Sequence, residues 1–251
     1  MSTAVLEPPA PPTPQPPMPQ MSLVSHLCEL RRRLVICAAA LAVGGVIGFV
    51  LYSRILSFLI GPYVSATGSS KLFITDPLEG FATRIKVAGY TGLILAMPVV
   101  LWQLWQFITP ALHRKERRMA VPFVASAVAL FAFGAALAFL TLPKALEFLV
   151  SIGGDNLETI FSPSAYLKLV TFMMVAFGLA FEFPVVLVFL QLVGIVSSRR
   201  LRSWRRYTAV GIFVFVAVAT PSQDPYSLFA LAIPMYLFYE LSIVAGRLLK
   251  K

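Results

Sequence analysis

The stretch YLKLVTFMMVAFGLAFEFPVVLVFLQLVGIV, Tyr166 to Val196, decides the fold. It is a nearly unbroken apolar run, longer than the roughly 20 residues a helix needs to cross about 30 Å of hydrocarbon. Its one acid, Glu182, sits between Phe181 and Phe183, with Pro184 two positions on. The nearest other charges, Lys168 and Arg199, lie about 20–25 Å away along a helix. Glu182 is therefore expected at mid-membrane, where an ionised acid costs about 2.5–3.5 kcal/mol on insertion scales. Pro184 removes the N–H that would pair with the carbonyl of Ala180, so the helix is expected to bend there. A carboxyl beside a freed carbonyl points to a wet or protein-lined concavity rather than to lipid. The competing reading is a protonated Glu182 hydrogen-bonded to a neighbouring helix as structural glue.

The rest of the chain has the same character. Of 251 residues, 58% are hydrophobic and 13% charged, against about a quarter charged in soluble domains. Mean hydropathy is +0.82. The reading is an all-α polytopic membrane protein. Residues 1–20, dominated by PPAPPTPQPPMPQ, cannot bury a core and read as a disordered, proline-rich cytoplasmic tail. They have neither a basic nor an apolar signal region, so no cleavable signal peptide is expected, and Met1 and Met21 are both candidate starts. Residues 21–251 form the membrane domain. Cys28 and Cys37 would lie about 13 Å apart along one helix, too far for a disulfide, and read as small apolar side chains.

Six apolar segments are expected: Leu34–Ile60, Ile85–Ile108, Met119–Leu142, Tyr166–Val196, Thr208–Thr220 and Leu228–Val244. The fifth reaches only about 20 Å. The charges argue that it spans all the same. Basic clusters at Arg31–Arg33, Arg114–Arg118, Arg199–Arg206 and Arg247–Lys251 fall on one side only if all six segments cross. That side is the cytoplasm, so both termini are expected inside a cytoplasmic membrane. The net charge of +10 thus reads as membrane orientation, not nucleic-acid binding. Trp102, Trp105 and Trp204 are expected in the cytoplasmic interfacial belt.

Two further acids stand out. In SHLCELRRRL, Ser25–Leu34, the leucines mark an amphipathic surface helix on which Glu29 and Arg33 form an ordinary intrahelical pair. In PALHRKERR, Pro110–Arg118, Glu116 is explicable as local charge balance. Both acids fall on the cytoplasmic face, and two carboxylates there could clamp a ligand carrying two guanidinium groups. The net positive surroundings oppose long-range steering of such a ligand.

These motifs, with MPVVLWQLWQFITPALHRKERR, FGLAFEFPVV and TPSQDPYSLFALAIPMYLFYE, occur in this order along the apolar segments. From Ser22 onward the chain resembles the TatC family, the signal-receptor subunit of the twin-arginine translocase. The resemblance implies a cupped six-helix fold that binds twin-arginine signal peptides of folded precursors. It implies Glu29 and Glu116 as the binding acids, with Phe107, Pro110 and Leu112 in the same loop motif. It further implies Glu182, beside Pro184, as an intramembrane polar site, and Asp224, Pro77, Glu79 and Phe81 as external-loop positions. Implied partners are single-span TatA- and TatB-type proteins, further copies of the chain in a complex, and membrane lipid, with export drawing on the proton motive force. No cofactor and no enzymatic activity are implied. The chain departs from the family pattern at His113 (usually tyrosine), at Leu228 (often glutamine) and in the longer TPSQD run.

Two rival classes fit less well. A proton-coupled small-solute transporter using Glu182 would carry paired, interrupted repeats, and none is visible. An intramembrane hydrolase would need a nucleophile–base pair or a metal set, yet the only histidines are His26 and His113 and no HExxH occurs. No GxxxxGK[ST] nucleotide loop is present either.

The topology is testable by thiol labelling in a background lacking Cys28 and Cys37. Cysteines at Ser69, Asn156 and Gln223 should react with an impermeant reagent from outside, and those at His113 and Ser203 only after permeabilisation. Labelling of position 223 from inside would remove the fifth span.

Overall fold

A computed structural model describes residues 23–68, 72–74, 76–108, 120–152, 161–220 and 224–248. Among these residues there are only helices: α1 (Leu23–Val50), α2 (Tyr52–Thr67), α3 (Glu79–Ile108), α4 (Ala120–Ile152), α5 (Pro163–Ala180), α6 (Phe183–Leu192), α7 (Ser198–Ser203), α8 (Arg205–Ala219) and α9 (Pro225–Leu248). The proline-rich tail and the loop carrying Pro110, Leu112 and Glu116 lie outside the described residues. Five helical stretches are long and apolar enough to cross a membrane, α5 and α6 together making one of them. The 15-residue α8 covers about 22 Å and falls short of that length.

The first apolar segment behaves differently from the sequence reading. The expected surface helix and the first span are one continuous α1, since nothing between Leu23 and Val50 breaks a helix. The chain then turns at Leu51, inside the segment expected to run from Leu34 to Ile60, and α2 carries Pro62 in its interior. An arginine from another helix attends that turn. Arg84 of α3 donates to the carbonyl of Phe49 (3.3 Å) and stacks over the rings of Phe49 (4.3 Å) and Tyr52 (5.4 Å).

α1 and α3 pack antiparallel, as the pairing of positions along them shows. Arg33 meets Gln103 and Gln106, Gly44 meets Gly92, Gly48 meets Ala88 and Thr91, and Phe49 meets Arg84. The middle of the seam is glycine because the backbones touch. A Cβ on Gly92 would lie 2.7 Å from both the Gly45 nitrogen and the Leu41 carbonyl oxygen. In lipid such small-residue contacts let dispersion hold helices together where burial from water is absent.

The main core lies between α2, α4, α5 and α9. Tyr166 and Phe177 of α5 are fully buried in it, with Leu142 and Leu146 of α4 and Leu231 of α9. The Tyr166 hydroxyl donates to the carbonyl of Leu59 (2.6 Å), satisfying both groups away from water. A second close approach brings Gly134 of α4 against the Phe177 backbone.

Glycines along α3 make a paired test. Gly92→Ala should destabilise the detergent-solubilised protein by about 1–3 kcal/mol through forced separation of the helices. Gly89→Ala on the same helix meets nothing within 4 Å and should be neutral or stabilising in thermal unfolding. Equal melting temperatures for the two variants would contradict the seam.

Candidate functional site

The acid nearest the N-terminus of α1 is held by the chain itself. The Arg33 guanidinium donates to Glu29 Oε1 through Nε (3.2 Å) and through Nη2. The same guanidinium reaches across to the last turns of α3. Nη1 donates to the side-chain oxygens of Gln103 (3.2 Å) and Gln106 (2.9 Å), and Nη2 to the Gln106 carbonyl (3.2 Å). A helix C-terminus leaves its last carbonyls without intrahelical partners and carries partial negative charge, so a cation is well placed there. Glu29, Arg33 and the end of α3 thus form one polar corner, with half-buried Phe107 following Gln106. An aromatic trio packs near the end of α3: Trp105 of α3 lies on Phe123 of α4 (4.2 Å) and on Phe189 of α6 (5.8 Å). Trp105 is buried within the bundle at 4% exposure, while Trp204 is exposed.

Glu182 occupies the break between α5 and α6. The helix ends at Ala180 and restarts at Phe183, with Pro184 in the first turn of α6. The expected bend is therefore a two-residue interruption. Glu182 lines a cavity of about 520 Å³ between this break and α8, walled by Leu179, Phe183, Val186, Thr208, Gly211 and Phe215. Its Oε1 is buried and has no hydrogen-bond partner among the described residues. Pro184 is turned the other way. It lines a smaller cleft of about 200 Å³ with Phe123 and Ser126. The two neighbours in sequence thus line two different cavities.

The acids expected in the external loops act on helix ends. Glu79, 7% exposed, accepts from the Ser164 backbone N–H (3.1 Å) in the first turn of α5. Asp224, fully buried, accepts from the Ser227 N–H (2.7 Å) and caps α9. Asp76 accepts from the Leu78 N–H (2.7 Å) in the turn before α3, and Pro77 and Phe81 are exposed. These acids serve three helix starts, those of α3, α5 and α9.

The sequence reading passes over Glu240, an acid inside the sixth apolar segment. It pairs with Arg205 and accepts from Tyr236 (3.4 Å), tying the start of α8 to α9. Its signal was an uncompensated acid one helical turn after a tyrosine, the kind of signal that singled out Glu182. Gln191 was also missed. It is fully buried and its amide donates to the Ser242 carbonyl of α9 (3.0 Å).

Comparison with known proteins places this architecture. The family profile of the Sec-independent protein translocase protein TatC matches residues 25–234. The chain belongs to the TatC family. It is 41% identical to the TatC of Frankia casuarinae over 89% of this chain and 65% of that protein, so it spans just under two thirds of that relative's length. It is 38% identical to the TatC of Aquifex aeolicus over 90% of this chain and 95% of that protein. A crystal structure of the twin-arginine translocase receptor TatC superposes with a TM-score of 0.74 at 38% identity, covering 90% of this chain and all of that one. The same receptor in DDM gives 0.75 at 37% identity, covering 88% and 99%. TatC proteins are translocase components of the membrane without enzymatic activity.

Asp224 offers a direct separation of roles. Asparagine caps helices about as well as aspartate, whereas alanine costs about 0.5–2 kcal/mol. Asp224→Asn should therefore keep the wild-type melting temperature and Asp224→Ala should lower it. Loss of export by Asp224→Asn at unchanged stability would assign the carboxylate a role beyond the cap.

Proposed function

We propose that this chain is the receptor subunit of a twin-arginine translocation system. It binds the twin-arginine signal peptides of folded precursors through Glu29 and Glu116, with Phe107, Pro110 and Leu112 shaping the same site. One observation carries the reading: Glu29 already holds a guanidinium, that of Arg33, at the end of α3 from which the loop bearing Glu116 departs. Forked guanidinium–carboxylate pairing distinguishes arginine from lysine by geometry as well as charge.

In this reading six helices cross the cytoplasmic membrane in a cupped arrangement, with both termini and the residue 1–20 tail in the cytoplasm. α8 is the short fifth span, and the bilayer thins beside it. The exposed apolar side chains of Val210, Val214 and Val218 along α8 support its contact with lipid. Glu182 offers a polar foothold inside the membrane to a polar group on a single-span TatA- or TatB-type helix or on the inserted signal peptide. The cavity beside its buried, unpartnered oxygen supports that role. The external residues Pro77, Glu79, Phe81 and Asp224 shape the opposite surface, and copies of the chain assemble with these partners for export driven by the proton motive force.

The test is precursor binding and export by charge-removing variants. Glu116→Gln should weaken twin-arginine peptide binding about ten- to hundredfold, the loss of one charge-assisted hydrogen-bonded pair. Glu29→Gln should weaken it less, because Arg33 already engages that carboxylate. Glu182→Gln should keep substantial export and signal binding, whereas Glu182→Leu should keep binding and lose export. Normal binding by Glu116→Gln would return that residue to local charge balance, and full export by Glu182→Leu would remove the foothold.

A further inference from the structure

Arg33 is an awkward neighbour for an acid meant to bind a cation. Its charge repels a second guanidinium and partly neutralises Glu29. Any benefit it brings to ligand binding must therefore be geometric. The contacts show what that geometry is. Both hydrogen bonds from Arg33 to Glu29 fall on the same carboxylate oxygen, Oε1. Arg33 thus leaves Oε2 unused. Its remaining donors grip two glutamine side chains and the Gln106 carbonyl near the end of α3. The Arg33 side chain is 17% exposed and that of Glu29 27% exposed, so the arginine is sunk into the corner and the acid stands nearer its surface. Five donors in a rigid fork can satisfy acceptors on two helices at once, which the point charge of a lysine ammonium cannot do.

We infer that Arg33 is a positioning residue for guanidinium recognition. It locks Glu29 against the C-terminal turn of α3, consumes one oxygen of that carboxylate, and presents the other to an arginine of the ligand. Gln103 and Gln106 belong to this device as the acceptors that hold the fork in place. The inference rests on the reading of Glu29 as a signal-peptide acid. It adds that the acid works only from one orientation, set by a contact about 70 residues away in sequence.

The experiment measures binding of a labelled twin-arginine signal peptide, with a twin-lysine peptide as control, to the detergent-solubilised full chain. Arg33→Lys keeps the charge and loses the fork. It should weaken twin-arginine binding about fivefold, and by no more than Glu29→Gln does, while the twin-lysine control stays weak. The same substitution made in a Glu29→Gln background should add less than about twofold, because a residue acting through Glu29 has nothing left to position. A general structural defect would instead cost the same factor in both backgrounds. Gln106→Met gives an independent arm: it leaves α1 intact, removes one acceptor of the fork, and should weaken binding about threefold, again only when Glu29 is present. Wild-type affinity in both Arg33→Lys and Gln106→Met, or equal losses with and without Glu29, overturns the inference while leaving the receptor reading standing. Should Arg33→Lys fail to fold, the Gln106→Met pair decides alone. A wild-type chain that does not prefer the twin-arginine peptide overturns the receptor reading and this inference together.

Discussion

The antiparallel seam between α1 and α3 is the constraint on which the rest depends. Each helix donates an arginine to carbonyls near the far end of the other. Arg33 of α1 grips the end of α3, and Arg84 of α3 grips the end of α1 at Phe49. Between them, glycines bring the two backbones into contact. Helix ends within or beside a membrane leave carbonyls that water cannot fully serve, and an arginine from a neighbour is a direct remedy. The seam therefore fixes two corners at once: the Glu29–Arg33 pair against the end of α3, and the α1–α2 turn at the other end. From that turn α2 runs onto α4, and the Leu59 carbonyl meets the Tyr166 hydroxyl in the main core.

A second constraint acts at the α5–α6 break. Pro184 denies the chain a continuous helix there, and the interruption turns Glu182 toward α8 and Pro184 toward α4. α8 is held chiefly by α9, with the Arg205–Glu240 pair at its start. The cavity between the break and α8 is the consequence: a short helix anchored on one side leaves an apolar groove with one carboxyl on its wall. Leucine at position 182 would pack there without an unpaired polar atom. That cost is what motivates the role proposed for Glu182, an ionisable residue inside an apolar segment.

Much of this was legible in the sequence, for identifiable reasons. Long apolar runs gave the helices because lipid admits few other backbones, and Glu182 and Glu29 stood out as charges in the wrong places. The Glu29–Arg33 pair followed from spacing alone. What stayed hidden were contacts between distant segments. Nothing local marks Leu51 as a turn, and the arginine that contacts that turn, Arg84, lies on another helix. The burial of Trp105 within the bundle, where Phe123 and Phe189 converge on it, left no mark in the sequence. Asp224 and Glu79 were read as loop residues, and their capping of α9 and α5 needed the helix starts to be seen.

On the function proposed here, a guanidinium-bearing ligand meets this chain at the corner made by α1 and the end of α3. Site-specific photocrosslinking reports on that corner most directly, with the crosslinker placed beside Glu116 in one chain and at exposed Cys28 in another. In membranes, both positions should give adducts with a twin-arginine precursor and neither with its twin-lysine counterpart. Equal adducts with the two precursors, or adducts only from the opposite end of the bundle near Asp224, would contradict it.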